Sequence, residues 1–252
     1  YPDIQDSRFI SKFAVYHQRY STNTFPTWSL AQPFRVIAHN GEINTLKGNK
    51  NWIKAHEPMI NHPNFNGNIK NLIPIIPPNS SDSASLDSVM ELLLRGGRNL
   101  PLVTKMLIPE AWSHRKDFSK KYKAFYAYCN SVIEPWDGPA AVCSFDGNWI
   151  VAAMDRNGLR PLRYTLTKDY LITGSETGMI PIKEEEILEK GRVGPGQMIG
   201  VNFNEKKFYN DKKIKNLITK IKPYEDWVKN ITHLSKIVKS KKEEKRKVNK
   251  EN

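Results

Sequence analysis

The sequence has little cysteine and no long apolar run. It contains two cysteines among 252 residues, Cys129 and Cys143, which is too few for a disulfide framework and gives no cysteine-based metal pattern. We expect both thiols to behave as small, partly buried apolar groups in a reducing compartment. No stretch approaches the ~20 consecutive apolar residues of a membrane-spanning helix, and the first residues lack the basic and apolar regions of a signal peptide. We therefore expect no membrane partner and a cytoplasmic location, with a plastid as the alternative.

Metal-ligand patterns are also missing. The six histidines do not follow the spacing of a metal site, so we expect no metal ion. With 39% hydrophobic residues, the chain can bury the core of one large domain or two small ones.

The positive charge is concentrated near the carboxyl end. The formal net charge is +13, and residues 205–222 and 235–252 each carry +5 of it, whereas the first 204 residues carry +4. We interpret 235–252 as a Lys-rich tail or linker. No aromatic residue follows Trp227, so the tail offers no base-stacking platform and a nucleic-acid partner is not favoured. An inactive binding or structural protein with a basic tail remains the alternative.

The residue pattern predicts antiparallel strands with helices laid on them. Apolar, aromatic and β-branched runs predict strands at residues 13–20, 35–40, 140–145, 149–154, 162–166, 170–173 and 195–201, and residues 71–78 form a strand-like apolar run broken by prolines. Helical spacing predicts helices at 45–56, 101–112 and 120–132, and one that follows the capping residues 79–85 and stops at 96–97. Asp-Gly between the runs at 140–145 and 149–154 indicates a hairpin. The sum is a layered α+β domain.

Two segments contain the candidate functional residues. Residues 17–28 read HQRYSTNTFPTW, and residues 39–44 read HNGEIN. The planar guanidinium of Arg19 suits two-point binding of a carboxylate, although a surface ion pair would use it equally well. Asn40-Gly41 is a common turn dipeptide, and Asp82 stands where a helix cap is expected. The residue types alone leave these alternatives open.

Both segments resemble the glutaminase domain of the glutamate synthase family, a group of class II glutamine amidotransferases. Residues 81–87, 134–140, 174–178 and 223–227 also match that family, so that the resemblance runs from about Phe13 to about Trp227. It implies the αββα four-layer sandwich of the N-terminal nucleophile hydrolases, and hydrolysis of L-glutamine to glutamate and ammonia. Residues 155–162, DRNGLRPL, match as well, and we expect them to form a structural turn near the site. Another class II amidotransferase is the alternative.

The resemblance also implies a role for each candidate residue. Arg19 with Thr22 would bind the α-carboxylate of glutamine, and Asp82 would bind its α-ammonium group. The side-chain amide of Asn40 and the backbone N–H of Gly41 would form the oxyanion hole. Preorganised donors of this kind stabilise the charge that develops in the transition state, and a glycine lets its N–H approach the substrate closely.

The nucleophile of that family is the amino-terminal cysteine of the mature chain, and this sequence begins with Tyr1. Cys129 and Cys143 cannot replace it, because neither has a free α-amine. We therefore expect a partial amidotransferase domain over 1–234, incomplete at its amino-terminal side, and a tail over 235–252. The isolated chain is expected to be inactive.

The resemblance further implies a larger parent protein. Its central and FMN-binding domains would use the ammonia, 2-oxoglutarate and a reductant to make a second glutamate. FMN and an iron–sulfur cluster are expected in that parent, and no cofactor is expected in this chain. An NAD(P)H-oxidising chain or domain is a possible further partner, and the electron donor stays open.

Overall fold

A computed structural model describes residues 2–18, 25–65, 67–232 and 234–238. The helices are α1 (Leu46–His56), α2 (Asp82–Arg95), α3 (Leu100–Leu107), α4 (Lys120–Val132), α5 (Asp211–Ile218), α6 (Tyr224–Trp227) and α7 (Leu234–Ile237). The strands are β1 (Ile37–Gly41), β2 (Ala140–Phe145), β3 (Trp149–Met154), β4 (Arg163–Thr167), β5 (Leu171–Gly174), β6 (Ile187–Arg192), β7 (Met198–Asn202) and β8 (Lys207–Tyr209).

The strands form two antiparallel sheets. The large sheet has the order β1-β2-β3-β7-β8, and the small sheet has the order β5-β4-β6. The predicted hairpin joins β2 and β3, where Asp146 Oδ1 accepts hydrogen bonds from the backbone N–H groups of Asn148 at 2.9 Å and Trp149 at 2.7 Å. Gly147 adopts φ +90° in this turn, which an L side chain would resist. The hairpin prediction is confirmed.

Helix α2 begins and ends where its sequence predicts. The side chain of Ser81 accepts a hydrogen bond from the Ala84 N–H at 3.1 Å and caps the helix. Leu86 and Met90 lie one turn apart on its inner face and are fully buried. Gly96 ends the helix. The serine cap, the apolar spacing and the glycine stop signal therefore together specify helix α2.

The main core lies between the large sheet and the helices on one of its faces. Helix α3 is buried along its whole length, as expected for a helix that is apolar on nearly all sides. It packs against β2 and β3, while α2 packs against β1 and α5 against β7 and β8. These contacts set the position of β1, the strand on which the candidate residues lie.

A second, smaller cluster lies between the two sheets. Ala141, Ala152 and Met154 of the large sheet contact Leu162 and Val193 beside the small sheet. The described residues therefore supply a helical layer and two stacked sheets of the expected αββα arrangement. The predicted α+β class is confirmed.

Buried charges tie α3 and α5 to the rest of the core. The ammonium group of Lys105 donates to the carbonyl oxygen of Gly196 at 2.6 Å, and burial lowers the pKa of this group to about 8. Lys215 lies 2.8 Å from Glu110 and 2.7 Å from Asp211. A buried charge needs such partners, because its transfer from water is costly without them.

Several elements differ from the sequence prediction: residues 71–78 form no strand, and helices α5, α6 and α7 were not predicted. Residues 13–18, the described part of the predicted strand 13–20, form no strand. The ring centroid of Phe13 instead lies 5.3 Å from that of Phe145 and 5.5 Å from that of Phe203. The aromatic ring of Phe13 therefore anchors this segment by packing. Strand β6 was not predicted, because it is largely exposed and contains Glu189 and Lys190 in place of apolar residues.

Among the residues that the structure describes, no helix has the length and apolar character needed to span a membrane.

Replacing Lys105 tests the buried network. We expect Lys105→Ala to lower the free energy of unfolding by about 2–4 kcal/mol, because it leaves a cavity and an unpaired Gly196 carbonyl. Lys105→Met should cost less, since it keeps the volume. Lys213→Ala, at an exposed position on α5, is the control and should change stability by no more than about 0.5 kcal/mol. Denaturant unfolding measures all three, and an equal, small effect of Lys105→Ala and Lys213→Ala would contradict the account.

Candidate active site

The candidate residues lie at the end of β1, which is an edge strand of the large sheet in the described part of the chain. Asn40 pairs with Ala141, and Gly41 pairs with Ala140. Alternate residues of an antiparallel strand turn their N–H groups to opposite sides. The N–H of Ala140 donates to the Asp155 carboxylate, and the C=O of Ala140 accepts from the Asp155 N–H. Both hydrogen bonds lie on the side of β2 away from β1. The N–H of Gly41 is therefore directed away from β2, toward the open edge.

Glycine is required at position 41. Its φ is +151°, and a Cβ atom there would lie 1.8 Å from the carbonyl oxygen of Pro139. The next residue, Glu42, donates its N–H to the same oxygen at 2.9 Å. The backbone of Gly41 is thus held in a conformation that other residues rarely adopt.

A second glycine completes this contact from the other side. Gly138 has φ +155°, and a Cβ atom there would lie 2.0 Å from the carbonyl oxygen of Glu42. The Asn44 N–H donates to the Asp137 carbonyl at 2.8 Å. The two backbones cross so closely because both contact positions are glycines, and we name this feature the glycine crossing (Gly41–Asn44 with Asp137–Pro139).

The turn that follows β3 supports the glycine crossing. The buried carboxylate of Asp155 accepts from the Ala140 N–H at 3.0 Å with one oxygen. With the other oxygen it accepts from Asn157 at 2.8 Å and Gly158 at 3.1 Å. Arg156 pairs with Asp137 at 2.5 Å. Residues 155–162 are therefore a structural turn beside the site, as predicted.

Helix α2 brings a carboxylate to the same edge. Asp82 is the first residue of the helix, and its Oδ2 accepts from the Ile43 N–H at 2.9 Å. Its Oδ1 accepts from the Ser83 hydroxyl at 3.2 Å. The helix cap is Ser81, so the alternative interpretation of Asp82 as the cap is wrong. Asp82 is free to present the remaining acceptor positions of its carboxylate to a ligand.

The side chain of His39, on β1, reaches toward Asp82 at the start of α2. Its Nδ1 is 2.7 Å from Ser83 Oγ and 3.9 Å from Asp82 Oδ2. Ser83 Oγ also lies 3.2 Å from Asp82 Oδ1, so this hydroxyl bridges the imidazole and the carboxylate. The other ring nitrogen, Nε2, is buried without a hydrogen-bond partner among the described residues.

Burial keeps the His39 imidazole neutral. The side chain is fully buried, and this lowers the pKa of His39 to about 4, against the opposing attraction of Asp82. Arg160 and His17 add to the lowering, and Asp155 opposes it. Sequence patterns assign no role to His39, since a histidine before Asn-Gly has no ligand spacing. Only the packing of β1 on α2 reveals its contact with Ser83.

The structure brings together three of the five predicted site residues. Asn40 and Gly41 lie at the end of β1, and Asp82 contacts the backbone two residues further on. Arg19 and Thr22 lie outside the described residues. The catalytic and binding roles of all five stay predictions.

Both cysteines have the environment of structural thiols. Burial raises the pKa of Cys129 and of Cys143 to about 12, so that neither is a thiolate at neutral pH. Cys129 lies on α4 and Cys143 in the middle of β2. Within the ranges that the structure describes, no group of three or more His, Cys, Asp or Glu side chains could hold a metal ion.

Comparison with known proteins gives a family and a set of relatives. The family model "Glutamine amidotransferases class-II" matches residues 1–227. The NADPH glutamate synthase large chain of Azospirillum brasilense is 56% identical over 95% of this chain and 16% of its own length. The chloroplastic ferredoxin-dependent glutamate synthase of Spinacia oleracea is 44% identical over 91% of this chain and 14% of its own. The NADH glutamate synthase of Saccharomyces cerevisiae is 42% identical over 94% of this chain and 11% of its own length.

The chain therefore spans about one sixth or less of the length of these relatives. Among solved structures, the glutamine phosphoribosylpyrophosphate amidotransferase of B. subtilis aligns with a TM-score of 0.43 at 19% identity. That alignment covers 77% of this chain and 34% of the other. A TM-score at this level is too low for a detailed comparison of folds.

A pair of glycine substitutions tests the glycine crossing. We expect Gly41→Ala to lower the free energy of unfolding by roughly 2 kcal/mol or more, because of its positive φ and the clash with Pro139. Gly48, inside α1, has open space where a Cβ would lie, so Gly48→Ala should stabilise the chain by about 0.5–1 kcal/mol. Thermal or denaturant unfolding distinguishes the two. Equal effects of both substitutions would show that the crossing is not a constraint.

The buried imidazole predicts a pH effect. Between pH 6.5 and about 4 the unfolded state binds a proton that folded His39 excludes, so stability falls as the pH falls through this window. His39→Asn removes the titration and keeps a donor for Ser83. Between pH 7 and pH 4.5 we expect the free energy of unfolding of the parent to fall by about 1–3 kcal/mol relative to that of His39→Asn. Urea unfolding across this range measures it, and parallel pH curves would disprove the buried neutral state.

Proposed function

The chain belongs to the class-II glutamine amidotransferases, and we propose that it holds L-glutamine for hydrolysis to glutamate and ammonia. The observation that carries the proposal is the meeting of β1 and α2. There the Gly41 N–H faces the open edge, and Asp82 is bound to the Ile43 N–H at 2.9 Å. The short backbone stretch from Gly41 to Ile43 thus brings a candidate donor for the side-chain amide of glutamine close to Asp82, the candidate partner of its α-ammonium group.

The end of β1 would act on the side-chain amide of glutamine. Attack of a nucleophile on the amide carbon turns the carbonyl oxygen into an oxyanion. The Asn40 amide and the Gly41 N–H would donate to that oxygen. The C–N bond then breaks, the nitrogen takes up a proton and leaves as ammonia, and the acyl group stays on the nucleophile. Water then hydrolyses the bond between the acyl group and the nucleophile, which releases glutamate and regenerates the nucleophile. The rigid position of Gly41 matters because donors fixed before the reaction need no reorganisation.

The start of α2 would hold the other end of the substrate. The positive end of the helix dipole favours an ionised Asp82, which can pair with the α-ammonium group. Neutral His39 also matters here, because a protonated imidazole 3.9 Å away would compete with the substrate for the same carboxylate. We retain Arg19 and Thr22 as the residues that bind the α-carboxylate, on sequence grounds.

Neither thiol of this chain is suited to be the nucleophile. Cys129 is buried and Cys143 is partly buried, this burial raises the pKa of both thiols, and both lie on elements of the core. We propose that the attacking nucleophile is neither of these thiols and that it approaches the open edge of β1, where the Gly41 N–H is directed.

We further propose that the chain is the glutaminase part of a glutamate synthase, in which the ammonia reacts with 2-oxoglutarate and reductant to give a second glutamate. Identities of 42–56% to three glutamate synthases support this over another class II amidotransferase. FMN and an iron–sulfur cluster would lie in other domains, since the two cysteines of this sequence, Cys129 and Cys143, lie on separate elements of the core. The relatives' names include NADPH, NADH and ferredoxin, so the electron donor stays open.

The compartment is also part of the proposal. Buried, unpaired thiols suit a reducing environment, as in the cytoplasm or a plastid stroma. The relatives described above include a protein of Azospirillum brasilense and a chloroplastic protein of Spinacia oleracea.

Substitutions in the intact protein purified from its own cell test this function. We expect Asn40→Ala to lower the kcat of glutamine-dependent glutamate synthesis by about 100- to 1000-fold, because one oxyanion donor is lost. Asp82→Asn keeps an acceptor for Ile43 but removes the charge, and should raise the KM for glutamine about 10- to 100-fold. Both variants should keep ammonia-dependent synthesis.

The control is Asp117→Asn, at a largely exposed surface ion pair with Arg115, and it should leave both activities unchanged. Equal loss of glutamine-dependent and ammonia-dependent synthesis in the Asn40 and Asp82 variants would show that these residues are structural, and would overturn the proposed function.

A further inference from the structure

The side chain of Asn40 has a hydrogen-bond partner within the protein. Its Nδ2 donates to the hydroxyl oxygen of Ser175 at 3.2 Å, across 135 positions of sequence. Ser175 follows directly after Gly174, the last residue of β5. The contact therefore joins the end of the large sheet's edge strand to the end of a strand of the small sheet.

The register of the sheet explains why these two residues meet. Asn40 pairs with Ala141, and paired residues of adjacent strands present their side chains on the same face. Ala141 belongs to the apolar cluster between the two sheets. The Asn40 side chain accordingly points from β1 toward the small sheet, and not toward α2 as His39 does.

The backbone holds Ser175 in place. Gly174 pairs with Arg163 in the ladder between β4 and β5. A Cβ atom at Gly174 would lie 1.8 Å from the Met179 methyl group, so the loop after β5 folds back tightly over this position. Ser175 is half-buried between these constraints, and its hydroxyl is a fixed acceptor beside Asn40.

A fixed acceptor decides which end of a carboxamide faces a substrate. Asn40 can rotate by half a turn and exchange its NH2 group with its carbonyl oxygen. Only the NH2 group can stabilise an oxyanion, and the carbonyl oxygen would repel it. The NH2 group has two protons. One can remain on Ser175 while the other is donated to the oxyanion.

Building on the proposed function, we propose that Ser175 is a positioning residue for the oxyanion hole. Its hydroxyl accepts one proton of Asn40 Nδ2 and thereby selects the rotamer that aims the second proton at the reacting carbonyl oxygen. Ser175 itself does not touch the substrate. The loop after β5, which belongs to the small sheet, thus controls a donor on the large sheet.

A purely structural role makes a different prediction. If the contact only ties the two sheets together, its loss would lower stability and would impair ammonia-dependent synthesis along with glutamine-dependent synthesis. If Ser175 acts through the Asn40 amide, its loss lowers only the kcat of the glutamine-dependent reaction and has no effect once that amide is gone. Ammonia-dependent synthesis therefore separates these two roles, and a double-mutant cycle tests whether the effect of Ser175 passes through Asn40.

The test uses the intact protein and four variants: Ser175→Ala, Ser175→Thr, Asn40→Ala and the double variant Ser175→Ala with Asn40→Ala. We expect Ser175→Ala to lower the kcat of glutamine-dependent synthesis about 3- to 30-fold, a fraction of the loss for a whole donor. The KM for glutamine and ammonia-dependent synthesis should not change. Ser175→Thr keeps the hydroxyl and should restore most of the kcat. Thr177→Ala, at an exposed position of the same loop, is the matched control and should have no effect.

The cycle gives the decisive result. In the Asn40→Ala background, adding Ser175→Ala should change the kcat by less than about 2-fold. An equal fall in both backgrounds, or a fall in ammonia-dependent synthesis, would overturn the positioning role. Unchanged kcat in Ser175→Ala together with a large fall in Asn40→Ala would also overturn it and leave the proposed function intact. No effect of Asn40→Ala would instead reject the proposed function.

Discussion

The glycine crossing is the constraint on which the rest of the site depends. Gly41 and Gly138 let two backbones approach to distances that no side chain would allow. This contact fixes the direction of the Gly41 N–H and delivers the Ile43 N–H to Asp82. The Asp155 turn supports it from beneath through Ala140. A site built from backbone groups in this way is already shaped before a ligand arrives, and preorganisation is what an oxyanion donor requires.

Near the glycine crossing, burial and the helix start determine which side chains carry a charge. Asp82 lies at a helix start, where a negative charge is favoured, and the adjacent imidazole of His39 is neutral because it is sealed from water. The carboxylate is therefore the local charge that a substrate ammonium would meet. The two faces of β1 serve different purposes: His39 points to α2 and secures the carboxylate, whereas Asn40 points to the small sheet and meets Ser175.

Local signals predicted most of the fold. The β2–β3 hairpin and helix α2 follow from Asp-Gly, a serine cap and apolar spacing, which act over a few residues. The site was predicted only as a list of residues from a family resemblance. Patterns along the sequence could not show the Ser83–His39 contact or the Asn40–Ser175 contact, because these join elements 44 and 135 positions apart. The strand predicted at 13–20 was wrong over its described part because periodicity cannot distinguish an aromatic anchor from a paired strand.

The central claim is that the end of β1 and the start of α2 hold the two ends of glutamine. A crystal structure of the intact protein with the product L-glutamate tests it most directly. The account predicts the α-ammonium group within about 3 Å of an Asp82 oxygen. It also predicts one γ-carboxylate oxygen within hydrogen-bonding distance of both Asn40 Nδ2 and the Gly41 N–H. Glutamate bound in another place, or bound here with Asp82 turned away from its ammonium group, would contradict the claim.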